Sequence, residues 1–126
     1  MRLLLDTHAF LWWCGDDPRL GDVERLAIRD GANEVFLSAA SVWEMAIKQA
    51  LGRLQVPERA SAAVARLGFE SLPIAFAHAE AAAVLPPLHR DPFDRLLVAQ
   101  ARTEGLTLVT RQLPIRAYPG VAFLPV

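Results

Sequence analysis

The sequence predicts an α/β fold in which helices pack on a mostly parallel sheet. Short apolar segments typical of buried strands alternate along the chain with longer segments of helical character. This alternation is typical of parallel sheets connected through helices. The length of 126 residues is that of one domain, so residues 1–126 are assigned to a single unit.

Glycine and proline residues indicate where the predicted helices begin and end. Each predicted helix ends near a glycine or a proline pair, as at Gly52, Gly68 and Gly105, because glycine readily adopts the left-handed conformation that stops a helix. The dipeptide Asp91-Pro92 marks a helix start. The predicted strands are 2–5, 34–37, 71–74, 106–109 and 121–124, and the predicted helices are 7–13, 20–30, 41–51, 57–67, 76–85 and 91–104.

The composition favours a cytoplasmic protein. A single cysteine, Cys14, excludes an intramolecular disulfide and is typical of a reducing compartment; we expect it to lie in the core. Asp6 and His8 interrupt the apolar amino terminus, so no signal peptide is predicted, and no segment approaches the roughly 20 apolar residues that cross a bilayer. The net charge of −1 does not by itself draw the chain to nucleic acid. The mean hydropathy of +0.25 leaves apolar surface for a partner.

Three acidic residues are predicted to meet at one edge of the sheet. Asp6 follows the first strand, Glu44 is placed in the first turn of the helix after the second strand, and Asp94 in the first turn of the helix before strand 106–109. Helices that follow parallel strands begin at the carboxyl edge, where active sites gather. Each acid alone is explained more simply as a helix cap, with Ser41 and Glu44 as a capping box, and only their convergence favours function.

A convergent acidic cluster indicates a hard metal ion. Crowded carboxylates raise one another's pKa unless a cation lies between them. Oxygen ligands without cysteine or a histidine pair favour Mg²⁺ or Mn²⁺, ions that support phosphodiester cleavage. His78 is interpreted as structural, whereas His89 has even chances of facing the site. The absence of a glycine-rich phosphate loop disfavours a nucleotide-binding enzyme.

The sequence resembles PIN-domain proteins, in particular the VapC-type toxins of VapBC toxin–antitoxin modules. The resemblance covers essentially the whole chain and rests on four motifs in order. These are LLLDTH at 3–8, SAASVWE at 38–44, HRDPFDRLLVAQA at 89–101 and LVT at 108–110.

This resemblance implies a three-layer α/β/α sandwich and a ribonuclease that depends on Mg²⁺ or Mn²⁺ and is inhibited by a cognate antitoxin. The implied metal ligands are Asp6, Glu44 and Asp94, with Asp91 as a helper or a cap. Candidate substrate-binding residues are Thr110, Arg95 and His89. A homodimer is also expected, because the apolar helices 7–13 and 41–51 carry three tryptophans; the alternative is that all three tryptophans are internal.

One position departs from the family pattern. The family usually places another aspartate shortly after the residue equivalent to Thr110, and here Gln112 occupies that place. A neutral amide removes one charge that would hold a second metal ion. The alternative function is therefore a catalytically weak or inactive PIN-like module that binds RNA or an antitoxin without cleavage.

Overall fold

A single parallel sheet forms the centre of the molecule in the computed structural model, which describes residues 1–125. Within these residues the strand order is β3-β2-β1-β4-β5, and every neighbouring pair is parallel. The predicted parallel sheet is thus confirmed. The strands are β1 (Arg2–Leu5), β2 (Glu34–Ser38), β3 (Glu70–Leu72), β4 (Thr107–Val109) and β5 (Ala122–Leu124).

Helices connect the strands and cover the sheet. The six predicted helices are present, and a short seventh, α7, was not predicted. No helix among residues 1–125 is long and apolar enough to cross a membrane. The helices are α1 (Thr7–Cys14), α2 (Asp22–Arg29), α3 (Ala39–Ala50), α4 (Ala60–Leu67), α5 (Phe76–Ala83), α6 (Pro92–Glu104) and α7 (Leu113–Arg116).

The alternation of side chains along β1 divides the core in two. Leu3 and Leu5 belong to a cluster with Phe10 of α1, whereas Leu4 belongs to a second cluster with Leu97 of α6. Successive strand residues point to opposite faces of a sheet, so both faces of β1 are buried beneath helices. The three layers of the predicted sandwich follow directly. All three leucines have no exposed surface, and each contributes roughly 1.5–3 kcal/mol by its burial.

Several local predictions are wrong. Helix α4 begins at Ala60 rather than Pro57. Helix α3 begins at Ala39 rather than Ser41, because Ser38 at the end of β2 is its N-cap and accepts a hydrogen bond from the Ala40 amide at 3.0 Å. The capping box of Ser41 and Glu44 therefore does not exist, and Glu44 lies in the second turn. Cys14, expected in the core, is exposed at the end of α1.

Candidate active site

Asp6 lies at the carboxyl end of the central strand β1 and is 1% exposed. It is the N-cap of α1, since its Oδ1 accepts a hydrogen bond from the Ala9 amide at 2.7 Å. Its Oδ2 accepts one from the Thr110 hydroxyl at 2.6 Å. Thr110 follows β4, which pairs with β1 in parallel, so both residues leave the sheet at the same edge. Asp6 is thus both a cap and a buried carboxylate at the predicted edge.

Gln112 contacts Asp6 directly. Its Nε2 lies 3.2 Å from Asp6 Oδ2 and 3.2 Å from His8 Nδ1, and its backbone amide donates to the Thr110 hydroxyl at 3.1 Å. Gln112 is therefore partly buried against Asp6 rather than free in solvent. The Gln112 side chain therefore places an amide donor beside Asp6, at the position where the family usually has another aspartate.

Glu44 is tied to the residue next to Asp6. The Thr7 hydroxyl donates to Glu44 Oε1 at 2.6 Å, and Lys48, one turn later on α3, places its Nζ 3.3 Å from Oε2. Glu44 is 9% exposed. The sequence reasoning missed Thr7 and Lys48 as partners of Glu44. The four-residue spacing of Glu44 and Lys48 on one helix was a usable signal, because side chains at that spacing are neighbours.

The pKa of the Asp94 carboxyl group is clearly shifted. Burial raises its pKa to about 6 from an ordinary value of 3.8, and the negative charges of Asp91 and Glu44 add to the effect. A hydrogen bond from His89 Nε2 to Asp94 Oδ2, 2.8 Å long, acts in the opposite direction. Asp94 therefore lies within electrostatic reach of Glu44 and in direct contact with His89, while the assignment of these residues to one site stays a prediction.

Asp91 and Arg95 have clear structural roles beside the acids. Asp91 is the N-cap of α6 and accepts hydrogen bonds from the amides of Phe93 and Asp94. Arg95 donates to the carbonyl oxygens of Ala82, Leu85, Pro86 and His89, and to the Tyr118 hydroxyl. These contacts anchor the segment before α6. Substrate binding by Arg95 and Thr110 stays a prediction.

The chemistry of this edge suits a divalent cation. Asp6, Glu44, Asp91 and Asp94 offer only carboxylate oxygens, and the raised pKa of Asp94 shows that its negative charge is poorly compensated by the protein alone. A metal ion could be held by a group of three or more aspartate, glutamate, histidine or cysteine side chains. Within residues 1–125, no such group is present in the observed side-chain orientations. Protein donors engage Asp6, Glu44 and Asp94 instead. The donor set thus fits a hard cation, and the full convergence of the three acids stays a prediction.

Comparison with known proteins places the chain in a family. The family model described as PIN domain matches residues 3–117. The chain belongs to the PIN-domain family. It is a homologue of Ribonuclease VapC22 from Mycobacterium tuberculosis, with 30% identity over 119 residues, which cover 92% of this chain and 91% of the relative.

Several solved structures share the fold of this chain. VapBC2 from Rickettsia felis, bound to a DNA fragment from its promoter, superposes with a TM-score of 0.71 at 16% identity, covering 98% of this chain and 97% of the other. DNA-bound VapBC from Salmonella typhimurium gives 0.69 at 18% identity, with 98% and 96% covered. A toxin–antitoxin complex from Klebsiella pneumoniae gives 0.64 at 20% identity, with 95% of each chain covered.

Proposed function

We propose that this PIN-domain chain is a ribonuclease that cuts RNA phosphodiester bonds with Mg²⁺ or Mn²⁺ and acts as the toxin of a toxin–antitoxin pair. The observation that carries the proposal is the set of buried carboxylates at the carboxyl edge of the sheet, one of which, Asp94, has its pKa raised to about 6 by burial and by neighbouring acids. The identity with Ribonuclease VapC22 supports RNA as the substrate.

Asp6, Glu44 and Asp94 are the residues that would hold the ion, with Asp91 beside them. Held by these carboxylates, a divalent ion would supply Lewis-acid activation of water and of the phosphate. The residues around the acids fix the carboxylate orientations, because Thr110 holds Asp6, Thr7 holds Glu44 and His89 holds Asp94. Orientation by neighbouring hydrogen bonds is what tunes metal ligands in proteins.

Gln112 favours a weakened form of this activity. Its amide donates to Asp6 and contributes no negative charge, so we infer slow cleavage that requires a high metal concentration. The same contact favours the alternative function, a PIN-domain module that binds RNA or a partner protein without cutting. The retained acids Asp6, Glu44 and Asp94 favour the enzyme.

An antitoxin partner and a homodimer are supported by exposed apolar residues. Trp43 is 62% exposed on α3, so the alternative that all three tryptophans are internal is wrong. Leu51, just beyond α3, and Val23 and Leu26 on α2 are also more than half exposed. Such apolar surface is typical of faces that bind another protein. Structural likeness to toxin–antitoxin complexes agrees with this proposal.

The test is cleavage of purified cellular RNA with and without Mn²⁺, with the ends mapped. Asp6→Asn, Glu44→Gln and Asp94→Asn should each reduce the rate by several orders of magnitude with the fold intact by circular dichroism. Asp22→Asn, an exposed acid on α2, is the matched control and should cut normally. Full activity in excess EDTA, or an unchanged rate for Asp6→Asn, would refute the proposed mechanism. RNA binding without any cleavage by the wild-type chain would establish the alternative function.

A further inference from the structure

His8 is an exposed aromatic ring beside the acidic edge that the proposed mechanism does not use. It lies on α1 two residues after Asp6, and it contacts none of the carboxylates described above. Its ring stacks on Trp12, one helical turn later, with centroids 5.8 Å apart and planes inclined by 24°. The four-residue spacing on α1 brings the two rings onto the same face of the helix.

Gln112 holds the edge of the same ring. Its Nε2 donates to Asp6 Oδ2 and lies within hydrogen-bond distance of His8 Nδ1, both at 3.2 Å. One ring face is covered by Trp12 and one edge by Gln112, yet His8 is exposed. The exposed area therefore belongs to the other face and to the Nε2 edge.

Trp12 gives this ring a rigid support. It is half-buried and packs against the core cluster beneath α1. The Arg19 guanidinium lies 5.1 Å from the Trp12 ring centroid and pairs with Asp17 at 2.7 Å. The three planar groups thus restrain one another. A ring that is already fixed loses little conformational entropy when a ligand stacks on it.

We propose that the free face of His8 is a stacking site for an unpaired RNA base next to the cleaved bond. This inference rests on the proposed function and adds a residue of this chain, His8, that would contact a base of the RNA substrate. A single amide group, that of Gln112, connects His8 to Asp6, so the stacked base belongs to a nucleotide adjoining the reacting phosphate. Bases in a duplex are already stacked on each other, whereas unpaired bases can stack on protein aromatic rings.

The test measures binding rather than cleavage. Single-stranded RNA oligonucleotides carrying 2-aminopurine at one position at a time are titrated with the full chain in EDTA, and the fluorescence quenching of the stacked base is recorded. His8→Ala should weaken binding by about 5- to 140-fold, since base stacking contributes about 1–3 kcal/mol and 1.4 kcal/mol is tenfold. It should also abolish quenching at the position most quenched by the wild-type chain. His8→Phe keeps a ring but loses the contact with Gln112, and should retain both properties.

Phe76→Ala is the control, because Phe76 is an 88% exposed aromatic residue on α5 outside the site, and it should bind as the wild type does. Equal binding by His8→Ala and the wild type, or equal losses in His8→Ala and His8→Phe, would overturn the stacking site. The candidate antitoxin is the product of the neighbouring reading frame. If His8→Ala loses binding to this protein while its RNA binding is unchanged, the free face of His8 belongs to a protein partner and the stacking site is also overturned. The proposed nuclease fails separately, if the wild-type chain binds RNA but does not cut it with any divalent ion.

Discussion

Replacing Asp94 with asparagine should stabilise the metal-free protein while abolishing cleavage. Asp94 is 6% exposed, and its pKa is raised from 3.8 to about 6, chiefly by burial. The folded state therefore disfavours the charged carboxylate. The difference between these two pKa values means that the ionised Asp94 costs the folded state about 3 kcal/mol of stability, at 1.36 kcal/mol per pKa unit. Asparagine has nearly the same shape and carries no charge, so it removes that penalty.

The pH dependence follows from the sign of this shift. Below pH 3.8 the carboxyl is neutral in both the folded and the unfolded state, and it contributes no penalty. Between 3.8 and about 6 the unfolded state loses its proton first, so the stability of the wild type falls relative to that of the variant as the pH rises. Above a pH of about 6, Asp94 is ionised in both states, so the difference in stability between the wild type and the variant no longer changes with pH. The advantage of Asp94→Asn should be about 3 kcal/mol at pH 8 and about 1 kcal/mol at pH 4.5.

Urea unfolding in EDTA at both pH values measures this difference. Asp17→Asn is the control, because the hydrogen bonds from Arg19 lower the pKa of Asp17 to about 2, and that variant should gain no stability at pH 8. An Asp94→Asn protein no more stable than the wild type at pH 8, or equally favoured at pH 4.5, would refute the argument. Adding Mn²⁺ should then stabilise the wild type and leave Asp94→Asn nearly unchanged, since a ligand stabilises only the folded state that binds it.

Three further predictions concern the surroundings of the acids. Gln112→Asp should raise the cleavage rate and lower the metal concentration needed; identical metal titrations would show that the charge at this position does not matter. Arg111→Ala should cost about 1–3 kcal/mol in urea unfolding, because it leaves the buried Glu24 carboxylate without the cation bonded to it at 2.6 Å, and solvent screens part of the interaction since the Arg111 side chain is 47% exposed. Adding Glu24→Gln should recover part of that loss, and strictly additive losses would contradict the pairing. The product of the neighbouring reading frame should co-purify with this chain and suppress its activity, whereas a monomer at micromolar concentration that does not bind it would count against the antitoxin and dimer proposals.

Elements with strong local signals were predicted closely from the sequence. The strand 2–5 matches β1, because an uninterrupted leucine run ends at a charged residue. The start of α6 at Pro92 follows from Asp91-Pro92, and its end follows from Gly105, which adopts φ +66° as the left-handed C-cap. In these cases the physical cause lies within a few residues of chain, so the sequence alone carries it.

Elements whose limits depend on distant contacts were predicted less well. Ser38 rather than Ser41 caps α3, and the Ser38 hydroxyl also donates to Gln100 Oε1 on α6 at 2.5 Å, a partner 62 residues away. Helix α7 has only four residues, which is too short for a periodic pattern to reveal.

The site shows the same division between sequence and tertiary structure. The sequence identified Asp6, Glu44 and Asp94 as candidates from predicted positions at a strand end and at helix starts, and it misplaced only Glu44, which lies in the second turn of α3. The parallel pairing of β1 with β4 decided that Thr110, 104 residues from Asp6, would hold its carboxylate. The packing around α6 decided that Asp94 would be buried near other acids. Burial and distant neighbours set the pKa of a carboxyl group, and neither can be known before the chain has folded.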